Sequence, residues 1–114
     1  MTDYQADSEK LMAESQKLYQ SIGETGKDFL QMYQSAVRAD ELTRKEKELI
    51  ALAIAVAQRW EESMVIHVKA AVAASATREE IAEAVGVAVA MGGGPATIYG
   101  AKALDCADQF LEQE

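Results

Sequence analysis

The residues best suited to chemistry are concentrated in one stretch, Trp60 to His67, which reads Trp-Glu-Glu-Ser-Met-Val-Ile-His and holds the only tryptophan and the only histidine of the chain. Ser63 and His67 stand four residues apart, so a helix that begins near Glu62 would place both on one face. An imidazole exchanges protons near neutral pH, and a nearby hydroxyl can donate a hydrogen bond or act as a weakly activated nucleophile. Ser63 and His67 are therefore candidate catalytic residues.

Six helices are predicted to position this stretch, and no segment has a strand pattern. Apolar periodicity and chain breaks place them at 5–22, 25–39, 44–59, 62–75, 78–91 and 96–113. Capping boxes at Thr43 to Glu46 and at Thr77 to Glu80 fix two of the starts. The third helix is expected to be the most buried, because 49–57 is apolar on every side. The sequence thus predicts an all-α fold in a single domain, 1–114, with 1–22 as an N-terminal docking helix and 24–112 as the core.

One motif connects these helices to a known family. The run Glu48-Leu-Ile-Ala-Leu-Ala-Ile-Ala-Val-Ala-Gln-Arg, then Trp60-Glu-Glu-Ser63 and His67-Val-Lys-Ala-Ala, resembles the core of the carboxymuconolactone decarboxylase family, which includes the AhpD-like alkylhydroperoxidases. In the redox branch of that family the motif is Glu, eleven residues, then Cys-x-x-Cys-x-x-x-His. Glu48 matches its relay glutamate and His67 its histidine, whereas Trp60 and Ser63 occupy both cysteine positions. The resemblance implies an AhpD-like fold of about six helices.

The absence of both thiols argues against one of the functions that the resemblance implies. A peroxidase or disulfide reductase needs the dithiol, which neither an indole nor a serine hydroxyl can replace, and the single Cys106 lies beside two aspartates that disfavour a thiolate. Three classes remain open: an oligomeric binding protein with a vestigial site, a non-redox lyase acting on a small lactone or carboxylate with His67 and Glu48 as acid–base pair, and a derivative of a parent with cysteines at 60 or 63. Whether the chain is an enzyme stays open at this point.

The expected surroundings of the site follow from the same resemblance. His67 is expected within hydrogen-bond reach of Glu48 or Ser63, and Trp60, Glu62 and Met64 are expected to line a pocket, unless the indole plugs the core or an interface. Lys69 and Arg59 are the only basic residues that the sequence places near His67 to hold a dicarboxylate. No cofactor is predicted, and no metal either, because a lone histidine has no His or Cys partner at ligand spacing.

Charge and composition limit the partners. There are 11 Lys and Arg against 19 Asp and Glu, a net charge of -8 without a basic cluster, which argues against binding nucleic acid. The polar, acidic start of the chain and the absence of a long apolar run predict no signal peptide, no membrane partner and a cytoplasmic location. Alanine-rich helices bury little surface each. We therefore expect a homo-oligomer, a trimer or hexamer as the resemblance implies, with a small-molecule ligand as a further candidate partner.

Overall fold

The chain folds into six helices in a computed structural model that describes residues 1–112, and no strand is present in that range. The helices are α1 Tyr4–Ile22, α2 Glu24–Val37, α3 Arg44–Ala57, α4 Glu61–Ala73, α5 Arg78–Gly92 and α6 Gly94–Leu111. The prediction of an all-helical fold of about six helices is confirmed. The observed ends lie within about two residues of the predicted ones, and the end that the sequence predicts at Gln113 lies outside the described residues.

Local capping explains where the central helices begin. Thr43 Oγ1 accepts a hydrogen bond from the Glu46 amide at 3.0 Å, and Glu46 Oε1 accepts one from the Thr43 amide at 2.8 Å. Thr77 and Glu80 make the same reciprocal pair at 3.1 and 2.9 Å. These bonds satisfy amide groups that have no partner inside the helix. Gly93, with a positive φ of 75°, ends α5 and allows α6 to start at once.

Helices α3 to α6 enclose the core, and α3 contacts each of the other three. The largest fully buried apolar side chains of the core include Leu52, Val56, Met64, Val65, Val68 and Ile81. Helices α3 and α5 run side by side in the same direction. Lys45 Nζ meets Glu80 Oε2 at 2.9 Å near their starts, and a Cβ on Gly92 would lie 3.2 Å from Ala57 Cα near their ends. This arrangement places the first turns of α3 against α4, where the histidine lies.

The sequence did not show which side of α3 would face solvent. The prediction that α3 is the most buried helix is wrong, because Ile50 and Ile54 are 49% and 51% exposed and the shorter α4 has more buried residues than α3. When a helix is apolar on every side, any of its sides can pack against another helix. Which side stays exposed then depends on how many helices surround it. On α5 the same outcome leaves Val87 and Met91 exposed.

The first two helices form a hairpin that docks mainly through its chain start. Tyr4 is buried, and its backbone amide donates to Gln109 Oε1 at 2.8 Å. The side-chain Nε2 of Gln109 in turn donates to the Thr2 carbonyl at 2.8 Å. Further along α1, the apolar side chains of Leu18 and Ile22 remain exposed. No helix of the described part of the chain is both long and apolar enough to cross a bilayer.

Candidate functional site

Glu48 is the buried centre of the site. Its side chain has no exposed surface, and both carboxylate oxygens are occupied. Arg44 Nε donates to Oε2 at 2.8 Å from one turn earlier in α3, and His67 Nδ1 meets Oε1 at 2.9 Å from α4. A buried carboxylate is strongly destabilising unless charged or polar partners of this kind hold it. The three side chains therefore form one hydrogen-bonded unit that joins α3 to α4.

The charge state of Glu48 follows from a competition between burial and hydrogen bonding. Burial raises the pKa of the Glu48 carboxyl, but the hydrogen bonds from His67 and Arg44 outweigh burial and hold that pKa below its usual value of 4.5. Glu48 is accordingly an anion at neutral pH, and it can only accept hydrogen bonds.

This acceptor fixes the orientation of the His67 ring. Because ionised Glu48 only accepts, Nδ1 of His67 carries the hydrogen of the 2.9 Å bond, and in the neutral ring the free lone pair is then on Nε2. No fully buried side-chain nitrogen or oxygen among residues 1–112 lacks a partner, and Nε2 makes no hydrogen bond to any residue in that range. The 12% of the side chain that is exposed therefore includes Nε2. His67 has an oriented ring with a nitrogen free to exchange a proton with a ligand.

Tyr33 of α2 approaches the same ring nitrogen of His67 that meets Glu48. Its hydroxyl lies 3.5 Å from His67 Nδ1, at the outer limit for a hydrogen bond, and the two rings are 6.1 Å apart with a tilt of 36°. Burial and the nearby Glu48 charge raise the pKa of the Tyr33 phenol, so it stays protonated at neutral pH. Tyr33 is thus a neutral hydroxyl donor beside an acid–base pair.

The structure brings together only part of the predicted site. The expected contact between His67 and Glu48 is present, whereas Ser63, half-buried one turn earlier, makes no hydrogen bond to His67. Trp60 is 56% exposed at the start of α4, so it does not plug the core.

Two predicted pocket residues point elsewhere. Met64 is completely buried in the core, and Glu62 faces a groove against α1 that also includes Asp7 and Lys10. Successive residues of a helix are about 100° apart, so positions 62 and 64 cannot share the face of position 63. Glu62 thus lines a groove on the α1 side of α4, and Met64 has no exposed surface with which to line a pocket.

Sequence reasoning missed the basic residue of the site. It named Lys69 and Arg59, yet Lys69 Nζ contacts Met12 Sδ at 3.4 Å on the α1 side, and Arg59 lies exposed after α3. Arg44 reaches the site through Glu48. The spacing of Arg44 and Glu48, four residues on a helix, was the signal that could have found it.

A cavity of about 520 Å³ lies next to this unit, between α2 and the start of α3. Its lining consists mainly of Leu30, Tyr33, Gln34, Val37, Arg38 and Arg44. Tyr33 and Arg44 thus belong both to the cavity and to the hydrogen-bonded unit, while Glu48, Ser63 and His67 do not line the cavity. The arrangement can exchange a proton at His67, and the cavity lies beside it.

Comparisons with known proteins agree with this geometry. The family model described as "Carboxymuconolactone decarboxylase family" matches residues 23–105. An uncharacterised protein of Cupriavidus necator is 30% identical over 102 residues, which cover 86% of this chain and 90% of the relative. The apo crystal structure of a carboxymuconolactone decarboxylase family protein from Legionella pneumophila superposes with a TM-score of 0.89 at 34% identity, covering 94% of this chain and 96% of that one.

A second crystal structure, from Burkholderia xenovorans, has a TM-score of 0.73 at 24% identity over 79% of this chain and 71% of the other, a likeness that shows the fold alone. The family model spans most of the chain and includes Glu48, Ser63 and His67. This chain belongs to the carboxymuconolactone decarboxylase family.

Proposed function

We propose that this protein is a family member without thiol redox activity, which binds a small molecule beside the Glu48–His67 pair. The observation that carries the proposal is the combination of an intact, oriented acid–base pair with two neighbouring positions, Trp60 and Ser63, that contain no sulfur. Dithiol chemistry requires two thiols within reach of each other. Neither residue supplies one, whereas proton exchange at His67 requires no thiol.

Cys106 does not replace the missing pair. It is completely buried in α6, and burial together with the charge of Asp105 raises the pKa of its thiol to about 12. The thiolate is the reactive species, and at neutral pH it would be present at a negligible fraction. Cys106 serves as a small apolar residue of the buried core cluster, which also includes Ile81 and Phe110.

The second candidate function is a non-redox lyase of the decarboxylase type, acting on a small lactone or carboxylate. The free Nε2 of His67 supports it, because a general base needs an unprotonated nitrogen within reach of substrate and a partner that holds the ring. Glu48 supplies the second requirement, and the Tyr33 phenol adds a neutral donor. In this mechanism Nε2 accepts the proton of the substrate carboxyl group, the C–C bond to that group breaks with release of CO2, and Nε2 returns the proton to the carbon. Glu48 stabilises the imidazolium formed in between.

A peroxidase assay tests the first proposal. We expect no turnover of alkyl hydroperoxides by the unmodified chain with dithiothreitol as reductant, and Cys106→Ser should give the same result. The double variant Trp60→Cys, Ser63→Cys restores sulfur at both motif positions and shows whether the frame can support the chemistry. Turnover by the unmodified chain that disappears in Cys106→Ser would contradict the proposal, because the reactive thiol would then be Cys106.

The state of His67 tests the acid–base proposal separately. Long-range ¹H–¹⁵N NMR distinguishes a hydrogen on Nδ1 from one on Nε2, and we expect the neutral ring to carry it on Nδ1. In Glu48→Gln the side-chain amide can donate to Nδ1, so the population should move toward the Nε2 form. A ring that carries its hydrogen on Nε2 in the unmodified chain would have no free base, and both roles proposed for His67 would fail.

We further infer that copies of the chain associate, as a trimer or a hexamer. Support comes from an apolar surface on α3, α5 and α6 made of Ile50, Ile54, Val87, Met91 and Ile98, each between 49% and 81% exposed. Residues 84–101 contain no charged side chain, although the chain as a whole carries a net charge of -8. A charge-free apolar surface allows two acidic copies to approach and bury area that a single copy leaves exposed.

Light scattering at micromolar concentration tests this association. We expect a mass three or six times 12.4 kDa, and Met91→Glu should lower it because it places a charge on the apolar surface. Leu18→Glu, an equivalent change at an exposed apolar residue of α1, is the control and should leave the mass unchanged. A mass of 12.4 kDa for the unmodified chain would refute the association.

A further inference from the structure

We propose that the cavity between α2 and α3 binds a small organic anion, whose oxyanion group is held by the guanidinium groups of Arg38 and Arg44. The apolar part of the ligand would contact Leu30 and Val37, which line the same cavity. The cavity is open to solvent, and its volume of about 520 Å³ is sufficient to admit a small molecule. The inference rests on the proposed function in one respect, since it identifies the chemical class of the small molecule that the site serves.

The charges around this cavity are the first argument. The chain has 19 acidic and 11 basic side chains, yet the cavity lining contains two arginines and no carboxylate. Two other surface grooves have the opposite character. The groove between α3 and α5 is lined by Glu46, Glu80 and Glu83 with a single lysine, and the groove between α1 and α4 by four acids with a single lysine. Among these three, only the α2–α3 cavity would attract an anion.

Unused hydrogen-bond donors are the second argument. Arg44 engages Glu48 through Nε alone, and its side chain is 52% exposed, so its terminal nitrogens remain available. The Arg38 guanidinium makes no hydrogen bond to any described residue. A guanidinium presents its donors as a planar fork that matches a carboxylate or a phosphate. Gln34 and Tyr33 add neutral donors to the same cavity.

The position of Arg38 is fixed by the local backbone, which is the third argument. Arg38 follows the last residue of α2 in an extended conformation, with φ −61° and ψ 139°, and its amide donates to the Gln34 carbonyl at 3.1 Å. Its own carbonyl accepts a hydrogen bond from Lys47 Nζ at 2.7 Å. This bond ties the α2–α3 loop to α3, and it brings a third cation to the same loop.

An anion bound in the cavity would change the electrostatic environment of the Glu48–His67 pair. Arg44 is the residue shared by the two sites, so an anion on its terminal nitrogens competes with Glu48 for the same positive charge. The Glu48–His67 bond at 2.9 Å then carries the effect to the imidazole. A ligand whose anionic group sits on Arg38 and Arg44 is held close to Tyr33, whose hydroxyl lies 3.5 Å from His67 Nδ1.

The test is an equilibrium titration of the full chain with benzoate, in which ¹H–¹⁵N NMR spectra are recorded at each benzoate concentration. Benzoate supplies a carboxylate and an apolar ring, benzamide is its neutral isostere, and phenyl phosphate presents the other common oxyanion. We expect saturable shifts at residues 30–39 and at Arg44 with at least one of the two anions, and none with benzamide. Whichever anion binds more tightly identifies the headgroup. Equal shifts with benzamide, or no saturable shift with either anion, would overturn the proposal.

Two variants separate the site from the overall charge of the chain. Arg38→Gln removes one guanidinium and should weaken anion binding about tenfold, the effect of losing one charge-assisted hydrogen bond. Lys27→Gln removes the same charge from an exposed position of the same helix that does not line the cavity, and it should change the dissociation constant less than twofold. Equal effects of the two variants would mean that the net charge, and not the cavity, attracts the anion.

The outcome is distinguishable from that of the proposed function. Binding is measured without turnover, and Arg38 makes no contact with Glu48 or His67 among the hydrogen bonds of the site. A failed titration therefore leaves the peroxidase and tautomer results intact. Conversely, a protein that reduced peroxide could still bind benzoate at Arg38.

Discussion

The buried carboxylate of Glu48 offers the sharpest test of how this site is held together. In Glu48→Gln the shape is kept and the negative charge is lost, so the bond from His67 at 2.9 Å becomes neutral and the bond from Arg44 at 2.8 Å loses its anionic acceptor. Losing the anion weakens each bond by roughly 1 kcal/mol, which gives a loss of about 2 kcal/mol for the pair. The amide also brings a donor toward two donors, which adds to the loss unless His67 changes tautomer.

Part of that loss is offset, because the glutamine no longer has to be buried as an ion. Since Arg44 is half exposed, solvent screens its interaction with Glu48, and losing this interaction costs less than losing a fully buried one. We expect a net destabilisation of about 2 kcal/mol at pH 7, which lowers the melting temperature of a chain of this size by about 8 °C. Urea unfolding followed by circular dichroism measures it, and the slope with urea should not change.

The control is Glu83→Gln, which removes the same charge from an exposed position of α5 and should change the stability by less than about 0.5 kcal/mol. The pH dependence gives a second criterion. The folded-state pKa of Glu48 lies below its usual 4.5, so the stabilisation is complete above that value and is lost as the pH falls through the folded pKa. The difference between Glu48→Gln and the unmodified chain should therefore shrink in acid. Equal stability of the two Gln variants at pH 7 would refute the account of the buried pair.

Three further predictions concern the scaffold. Gly100→Ala should destabilise the fold by about 1 to 3 kcal/mol in urea unfolding, because the new Cβ would lie 2.8 Å from Val85 Cγ1. Gly86→Ala should stabilise the fold by up to about 1 kcal/mol, because its Cβ would meet nothing within 4 Å. The reverse order of stability would contradict the packing of α5 on α6. Cys106 should react with a chromogenic disulfide only after unfolding, because its thiol is buried and its pKa is raised to about 12, so fast labelling of the native protein would be the contrary result. Thr43→Ala should cost about 1 kcal/mol by removing one half of the capping box of α3, and Thr43→Ser should recover most of that stability.

The local rules of the sequence were sufficient for the helices. The two capping boxes, the glycine stop at Gly93 and the apolar periodicity are properties of neighbouring residues, and the observed helices begin and end close to the predicted positions. The motif spacing was sufficient for Glu48 and His67, because residues 48 and 67 align with the motif whatever the packing. The contact between them, at 2.9 Å, is present as expected.

Glycine shows where local reasoning stopped. A glycine inside a helix, such as Gly86, can permit the close approach of another helix, but a side chain at this position would meet nothing within 4 Å. The close approach occurs at Gly100, on the helix that follows. Which glycine meets a neighbour depends on how α5 and α6 rotate against each other, and no pattern within one helix specifies that rotation.

The surroundings of His67 were likewise decided only by the tertiary structure. Sequence proximity suggested Ser63, Glu62 and Met64, yet the residues that accompany His67 are Arg44 and Tyr33, 23 and 34 positions away along the chain. Helix–helix packing brings those side chains to α4, while the 100° step between consecutive residues turns Glu62 to a surface groove and Met64 into the core. The sequence by itself determined which residues could exchange a proton; the packing of α2 and α3 on α4 determined which of them meet, because distance in the fold depends on helix orientation and not on position in the chain.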